Sequence, residues 1–242
     1  MAQPLTDAIN ALTTYANSVT GASDTTLSEA VATLANGYGQ GGGISIDEIA
    51  SNGITGDIVI TVPTVRANAF MNQNIENVQG NGVLTLEDGS FRGCVRLTTA
   101  MFTTVTTIKA NTVYGCGKLT EARFPSLTAM QGSDHFRNCY LCEVIDLGSV
   151  AHITYESTFI GCRVLKALIL RKTGSITTLG RGSWTSGNHP TLYDGTCKIY
   201  VPSALISSYI SAANWSNLPN ASSQFVALEG SPYEQPNFVY GE

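Results

Sequence analysis

Charge is scarce in this sequence: 13% of its 242 residues are Asp, Glu, Lys or Arg, about half the share usual in globular domains. Thr, Ser, Gly and Asn fill the surface positions instead, which predicts a polar but nearly uncharged exterior. The little charge there is leans acidic, at a net −5, and a phosphate backbone needs clustered Lys and Arg. Both argue against a basic groove for DNA or RNA. No Lys or Arg precedes Arg66, which leaves no basic n-region of a secretory signal, no Arg-rich transit peptide and no polybasic membrane patch. Nor does any run approach the roughly 18 apolar residues of a membrane-spanning helix, and the last residues, NFVYGE, carry no anchor. The expectation is a chain made in a cytoplasm, without membrane insertion and without an export address of its own.

Catalytic signatures are missing too. There are three histidines, His135, His152 and His189, with no HExxH, GxSxG or P-loop and no histidine pair at helical metal-ligand spacing. Asp134 and His135 fall just before a repeat position, where a solvent-facing turn is expected. The reading is no enzyme, no metal and no cofactor.

What is present is a period. Phe70, Phe91, Val113, Phe136 and Phe159 are 21, 22, 23 and 23 residues apart, and three residues after the last four come Cys94, Cys116, Cys139 and Cys162. Three residues further on lie Leu97, Leu119, Cys142 and Leu165. Counting +3, +5, +8 and +11 from these gives Ala100, Phe102, Val105, Ile108; Ala122, Phe124, Leu127, Met130; Ile145, Leu147, Val150, Ile153; and Leu168, Leu170, Thr173, Ile176. A step of two is strand alternation, and the steps of three fit a chain turning corners with one side chain pointing inward at each. No coil of this kind buries its apolar face alone, so stability comes from stacking, for which about three repeats suffice.

The phrase F-x-G-C-x-x-L in FRGCVRL and FIGCRVL, on this period, resembles the BspA-like leucine-rich repeats of bacterial surface proteins and of phage proteins. The ending KIYVPSALISSYISAANW followed by FVALEG is similar to the strand, turn and helix that close such arrays. The opening PLTDAINALTTYANSVTGASDTTLSEAVATLANGY resembles N-terminal segments of virion proteins of phages infecting Gram-positive bacteria. The resemblance implies a leucine-rich-repeat solenoid, a short strand plus turn per coil of 22–23 residues, with N-terminal α-helices and a C-terminal strand-helix cap. Departures are Val113 in the Phe position, Asn138 in the Gly position, Cys142 in the leucine column, and a Phe70 coil that lacks the Gly-Cys pair, which leaves its phase open.

Four segments follow. Residues 1–43 form a helical attachment or oligomerisation module with a Gly-rich linker, since Leu5, Ala8, Ile9, Leu12, Tyr15, Ala16 and Val19 keep helical spacing and a second helix carries Leu27, Ala30, Val31 and Leu34. The alternative is a hairpin capping the first coil. Residues 44–199 form the solenoid and 200–230 the cap, with Pro202 and Ser203 at the helix start and Ala204, Leu205, Ser208, Tyr209, Ala212 and Ala213 over the last coil. Residues 231–242 form an extended tail, either an arm docking on a neighbouring subunit or a disordered end.

Column phase places Cys139 and Cys142 in the dry interior, against a CxxC metal or redox reading. Parallel side-chain directions disfavour disulfides between stacked cysteines, so free, poorly reactive thiols are expected. The least regular stretch is 180–196, where Trp184, Asn188, His189, Tyr193 and Asp194 offer aromatic faces and hydrogen-bonding groups suited to a sugar. Alternatively, Trp184 fills the column Phe position of a degenerate fifth coil.

By resemblance, the chain is a phage virion structural protein, a tail-tip, fibre or baseplate appendage binding the host surface through its solenoid. Its partners would be other virion proteins, itself as a homo-oligomer with a trimer favoured, and a host surface glycan or protein. A head decoration or tail-assembly protein without receptor role, and a bacterial cell-surface adhesin, are the alternatives. Localisation is then the virion, or else the bacterial cell surface.

Overall fold

The structure, a computed structural model, describes residues 54–80, 82–154, 156–180 and 190–236. The helices expected within 1–43 lie outside them. Each coil gives one strand to a long parallel sheet: β1 (Thr55–Ile60), β3 (Asn74–Gly80), β5 (Thr99–Phe102), β7 (Glu121–Arg123), β9 (Val144–Asp146), β11 (Ala167–Ile169), β13 (Lys198–Val201) and β14 (Phe225–Ala227), stacked in that order. After a corner, most coils add a two-residue strand: β2 (Thr64–Val65), β4 (Thr85–Leu86), β6 (Thr107–Ile108) and β8 (Ala129–Met130) make one short sheet, and β10 (His152–Ile153) pairs with β12 (Thr178–Leu179). A third side, made of consecutive turns, returns the chain to the start of the next coil.

The register runs Val78, Ala100, Ala122, Ile145, Leu168, Ile199, Phe225 in one row across the long sheet, which is the column counted at +3. Its members are buried, as are Phe91, Cys94, Leu97, Phe102, Cys116, Leu119, Phe124, Phe136, Cys139, Leu147, Phe159, Cys162 and Leu165. Six phenylalanine rings form a continuous spine through the core, Phe70 on Phe91, then Phe102, Phe124, Phe136 and Phe159, with centroids 5.1 to 6.1 Å apart. The spine explains Val113. It crosses to the Phe102 and Phe124 column at that coil and returns at Phe136, so large rings in one column fill the room a small residue leaves in the other. Phe70 stacks on Phe91 at 5.1 Å, which settles the phase of its coil.

The turn side is held by main-chain bonds between coils, for example Phe91 N–H to the Thr112 carbonyl at 2.9 Å and Gly115 N–H to the Arg137 carbonyl at 2.9 Å. Each column cysteine adds one more. Cys94, Cys116, Cys139 and Cys162 donate their thiols to the carbonyls of Phe70, Phe91, Val113 and Phe136, at 3.0 to 3.3 Å. Cys94 and Cys116 together with Cys139, Cys142, Cys162 and Cys197 are all free and buried.

The last repeat departs from simple counting. Leu179 pairs with Ile153, so the +8 and +11 positions shift by three, Ile176 and Leu179 taking the places expected for Thr173 and Ile176. Thr173 is exposed. Three extra residues loop out around Gly174, whose φ of +74° makes the turn.

The cap continues the sheet, so the boundary expected at residue 200 falls within β13. Ser203 does not cap its helix through its side chain; its main-chain N–H donates instead to the Glu229 carboxylate at 2.9 Å. After a 3-10 turn at Ser203–Leu205, a short helix at Ile206–Ser211 buries Tyr209. Leu205, Ile206, Ile210 and Ala212 pack on the core, whereas Ala204, Ser208 and Ala213 face outward, because the first turn is 3-10 rather than α and rotates the buried face. Tyr209 and Trp215 are anchored at their polar ends: Thr177 N–H donates to the Tyr209 hydroxyl at 2.8 Å, and the Trp215 indole donates to the Thr177 carbonyl at 2.7 Å. Such amphipathic aromatics seal a core while satisfying main-chain groups at its rim.

Candidate binding surface

Of the five residues singled out in the irregular stretch, Trp184, Asn188 and His189 lie outside the described residues. The other two sit on helix α1 (Pro190–Asp194). Tyr193 is half-buried, and the Asp194 carboxylate accepts bonds from the Thr196 main chain and hydroxyl, at 2.9 and 2.7 Å. That carboxylate is engaged in shaping its own loop.

The threonine-rich exterior is also less open than composition suggests. Thr98, Thr106, Thr120 and Thr128 turn their hydroxyls to carbonyls of the preceding coil, those of Glu76, Leu84, Thr98 and Thr106. These side chains extend the intercoil ladder at the corners.

The turn side carries a different chemistry. Main-chain bonds bring Arg92, Tyr114, Arg137 and Ile160 into one row, and the row three residues further along is Val95, Gly117, Tyr140 and Arg163. The Arg92 guanidinium lies over the Tyr114 ring and that of Arg163 over Tyr140, each 5.2 Å from the centroid. Exposed apolar side chains gather beside them: Met71, Val95, Leu141 and Val164. Sequence reasoning missed these residues because it tracked only apolar columns; the same count applied one and four residues after the column Phe lines up the arginines and tyrosines.

On the outer face of the long sheet, residues 231–236 of the expected tail fold back over the chain itself, while 237–242 lie outside the described residues. Ser231 and Glu234 close a tight turn, with Glu234 N–H on the Ser231 carbonyl at 3.2 Å and the Glu234 carboxylate accepting from Gly230 N–H at 3.0 Å. Tyr233 stands edge-on to Tyr200 at 4.7 Å and under the Arg123 guanidinium at 5.3 Å. Arg171, fixed by three bonds to fully buried Asp146 at 2.7, 2.9 and 3.2 Å, donates to the carbonyls of Tyr233 and Glu234 at 2.8 and 3.0 Å. An ion pair on the sheet thus recognises main-chain oxygens of the strap.

Among the described residues, titration offers no acid-base pair. Contrary to the solvent-facing turn expected, His135 is 1% exposed, because the turn ladder points it between coils. Burial lowers it to about 4, against a ring nitrogen held 3.0 Å from the Gln131 carbonyl. Burial likewise raises Cys116, Cys139 and Cys142, and pushes Cys162 up to about 12, so these thiols are protonated and poor nucleophiles at neutral pH. Among the described residues, no three His, Cys, Asp or Glu side chains converge as a metal site, and no helix is long and apolar enough to cross a membrane. A shallow depression of about 520 Å³ lined by Pro63, Thr64, Arg66, Ala67 and Glu87 holds no catalytic grouping.

Residues 63–187 match the family pattern described as the BspA type leucine rich repeat region, in six copies. Among solved structures, a leucine-rich repeat protein from Bacteroides ovatus is similar at 16% identity and a TM-score of 0.42, over 74% of this chain and 55% of that one. This chain therefore spans about half the length of that protein. No curated protein matches it.

Proposed function

Taking as premise that the chain belongs to the BspA-type leucine-rich repeat family, we propose that it is a non-catalytic recognition scaffold that works at a bacterial cell surface, carried as an appendage of a phage particle. The observation that carries the recognition role is the turn edge, where Met71, Val95, Leu141 and Val164 stay exposed beside stacked arginines and tyrosines, although the core beneath them is closed. Apolar side chains left on the rim of a filled core favour an interaction surface over a structural need. Many copies on one particle would add avidity to weak single contacts.

The virion assignment rests on the resemblance of the N-terminal segment. Display by the bacterium itself, as an adhesin, is supported equally by the family. Adsorption competition tests the first reading: purified protein is expected to coat host cells and to reduce phage adsorption. Protein that coats cells without affecting any phage favours the adhesin. Failure to coat cells at all overturns the recognition role.

A further inference from the structure

The windows 89–97, 111–119, 134–142 and 157–165 form the turn edge and carry five cations, Arg92, Arg96, Lys118, Arg137 and Arg163, against one carboxylate, Asp134. The whole chain has the opposite balance, 13 Lys and Arg to 18 Asp and Glu. The sign of the charge is therefore reversed along one side of the solenoid. Arg96 and Arg137 are paired, with Glu76 and Asp134. Arg92 and Arg163 are held otherwise: each lies over a tyrosine ring, and among the described residues neither forms an ion pair with a carboxylate. A guanidinium lying over a tyrosine ring spends no N–H donor on that contact, which leaves its fork available to clasp an oxyanion with two parallel hydrogen bonds.

Neighbouring coils are ~4.8 Å apart, so the edge is a rail on which cations alternate with other side chains. Arg92, Tyr114 and Arg137 follow one another in one row, one coil per step. Val95 and Leu141, 56% and 50% exposed, flank the charges and suit the apolar faces of pyranose rings. A linear partner with widely spaced anions fits this rail. Densely charged nucleic acid fits less well, since a net −5 repels a continuous phosphate backbone.

We propose that the turn edge binds a sparsely anionic polysaccharide, in which sugars bearing a carboxylate or phosphate alternate with neutral ones, with Arg92 and Arg163 as the anion-clasping groups. This deepens the recognition reading above and rests on it. The test uses the full chain on surfaces coated with hyaluronan, phosphomannan, neutral dextran or single-stranded DNA, beside whole-cell coating. Retention on hyaluronan or phosphomannan but not dextran, weakened by added salt, is expected, with at least a tenfold loss in Arg92→Gln/Arg163→Gln and none in Lys172→Gln. Both arginines are exposed, so equal thermal unfolding of the variants is expected and checks that the fold persists. Retention unchanged by the double variant, retention on dextran as strong as on the charged glycans, or preference for DNA would each overturn the proposal. If the protein coats cells but binds neither charged glycan, this proposal fails while the recognition role stands; if it coats nothing, the recognition role fails first.

Discussion

At the residue scale, two columns on the turn side take left-handed backbone. One is Asn68, Gly89, Asn111 and Asp134; the other is Asn72, Gly93, Gly115, Asn138 and Gly161, all with φ between +57° and +85°. Only Gly, Asn and Asp adopt this conformation at low cost, so Asn138 is an equivalent of glycine and Asn72 gives the Phe70 coil the turn its missing Gly-Cys pair had put in doubt. Asn138→Gly is expected to change unfolding free energy by under about 0.5 kcal/mol, and Asn138→Ala to cost about 1–2 kcal/mol, measured by denaturant titration. A buried histidine makes a second prediction. His135 takes up its proton near pH 4 in the fold and near pH 6.5 in the unfolded chain. As pH falls, the unfolded state binds the proton first, so the contribution is complete above pH 6.5, declines between 6.5 and 4, and levels below. The loss is on the order of 3 kcal/mol, and comparison of unfolding at pH 7 and 4.5 should show it shrink in His135→Gln.

At the element scale, the ends of the array depend on a few polar anchors. Tyr209→Phe keeps the ring but leaves the buried Thr177 N–H without its acceptor, a cost of about 1–3 kcal/mol that thermal unfolding will register. The strap across the sheet depends on Arg171. Replacing it with Ala strands the Asp146 carboxylate, which is fully buried, and breaking such a pair costs about 3–5 kcal/mol. Asp146→Asn/Arg171→Met is expected to recover most of that stability, since no charge remains buried. Chymotryptic cleavage after Tyr233 should nevertheless accelerate in both variants, because both lose the bonds to the strap carbonyls. Recovery of stability with slow cleavage would show that Arg171 does not hold the strap.

At the scale of the whole molecule, each repeat leans on its neighbours, and the order of strands in the long sheet is the order of the chain. Assembly beyond one chain is read from light scattering of the full chain and of a version starting at Gly41. A trimer that becomes a monomer on truncation is expected if residues 1–43 are an oligomerisation module; a monomer in both cases removes that role and favours a cap or plug.

The sequence by itself determined the solenoid. A core column is written once per coil, so Phe91, Cys94 and Leu97 are legible wherever their counterparts recur at 22–23 residues, and the parallel stacking follows from the period. What only the tertiary structure decided lies where contacts are not periodic: the three-residue loop that shifts Ile176 and Leu179, the crossing of the phenylalanine spine at Val113, the anchoring of the cap on Thr177, and the return of Tyr233 to a sheet more than 30 residues away at Tyr200. The physical reason is locality. Repeated inward side chains announce themselves by spacing, whereas a single long-range contact, or an arginine stacked on a tyrosine one coil on, exists only once the coils have been laid side by side.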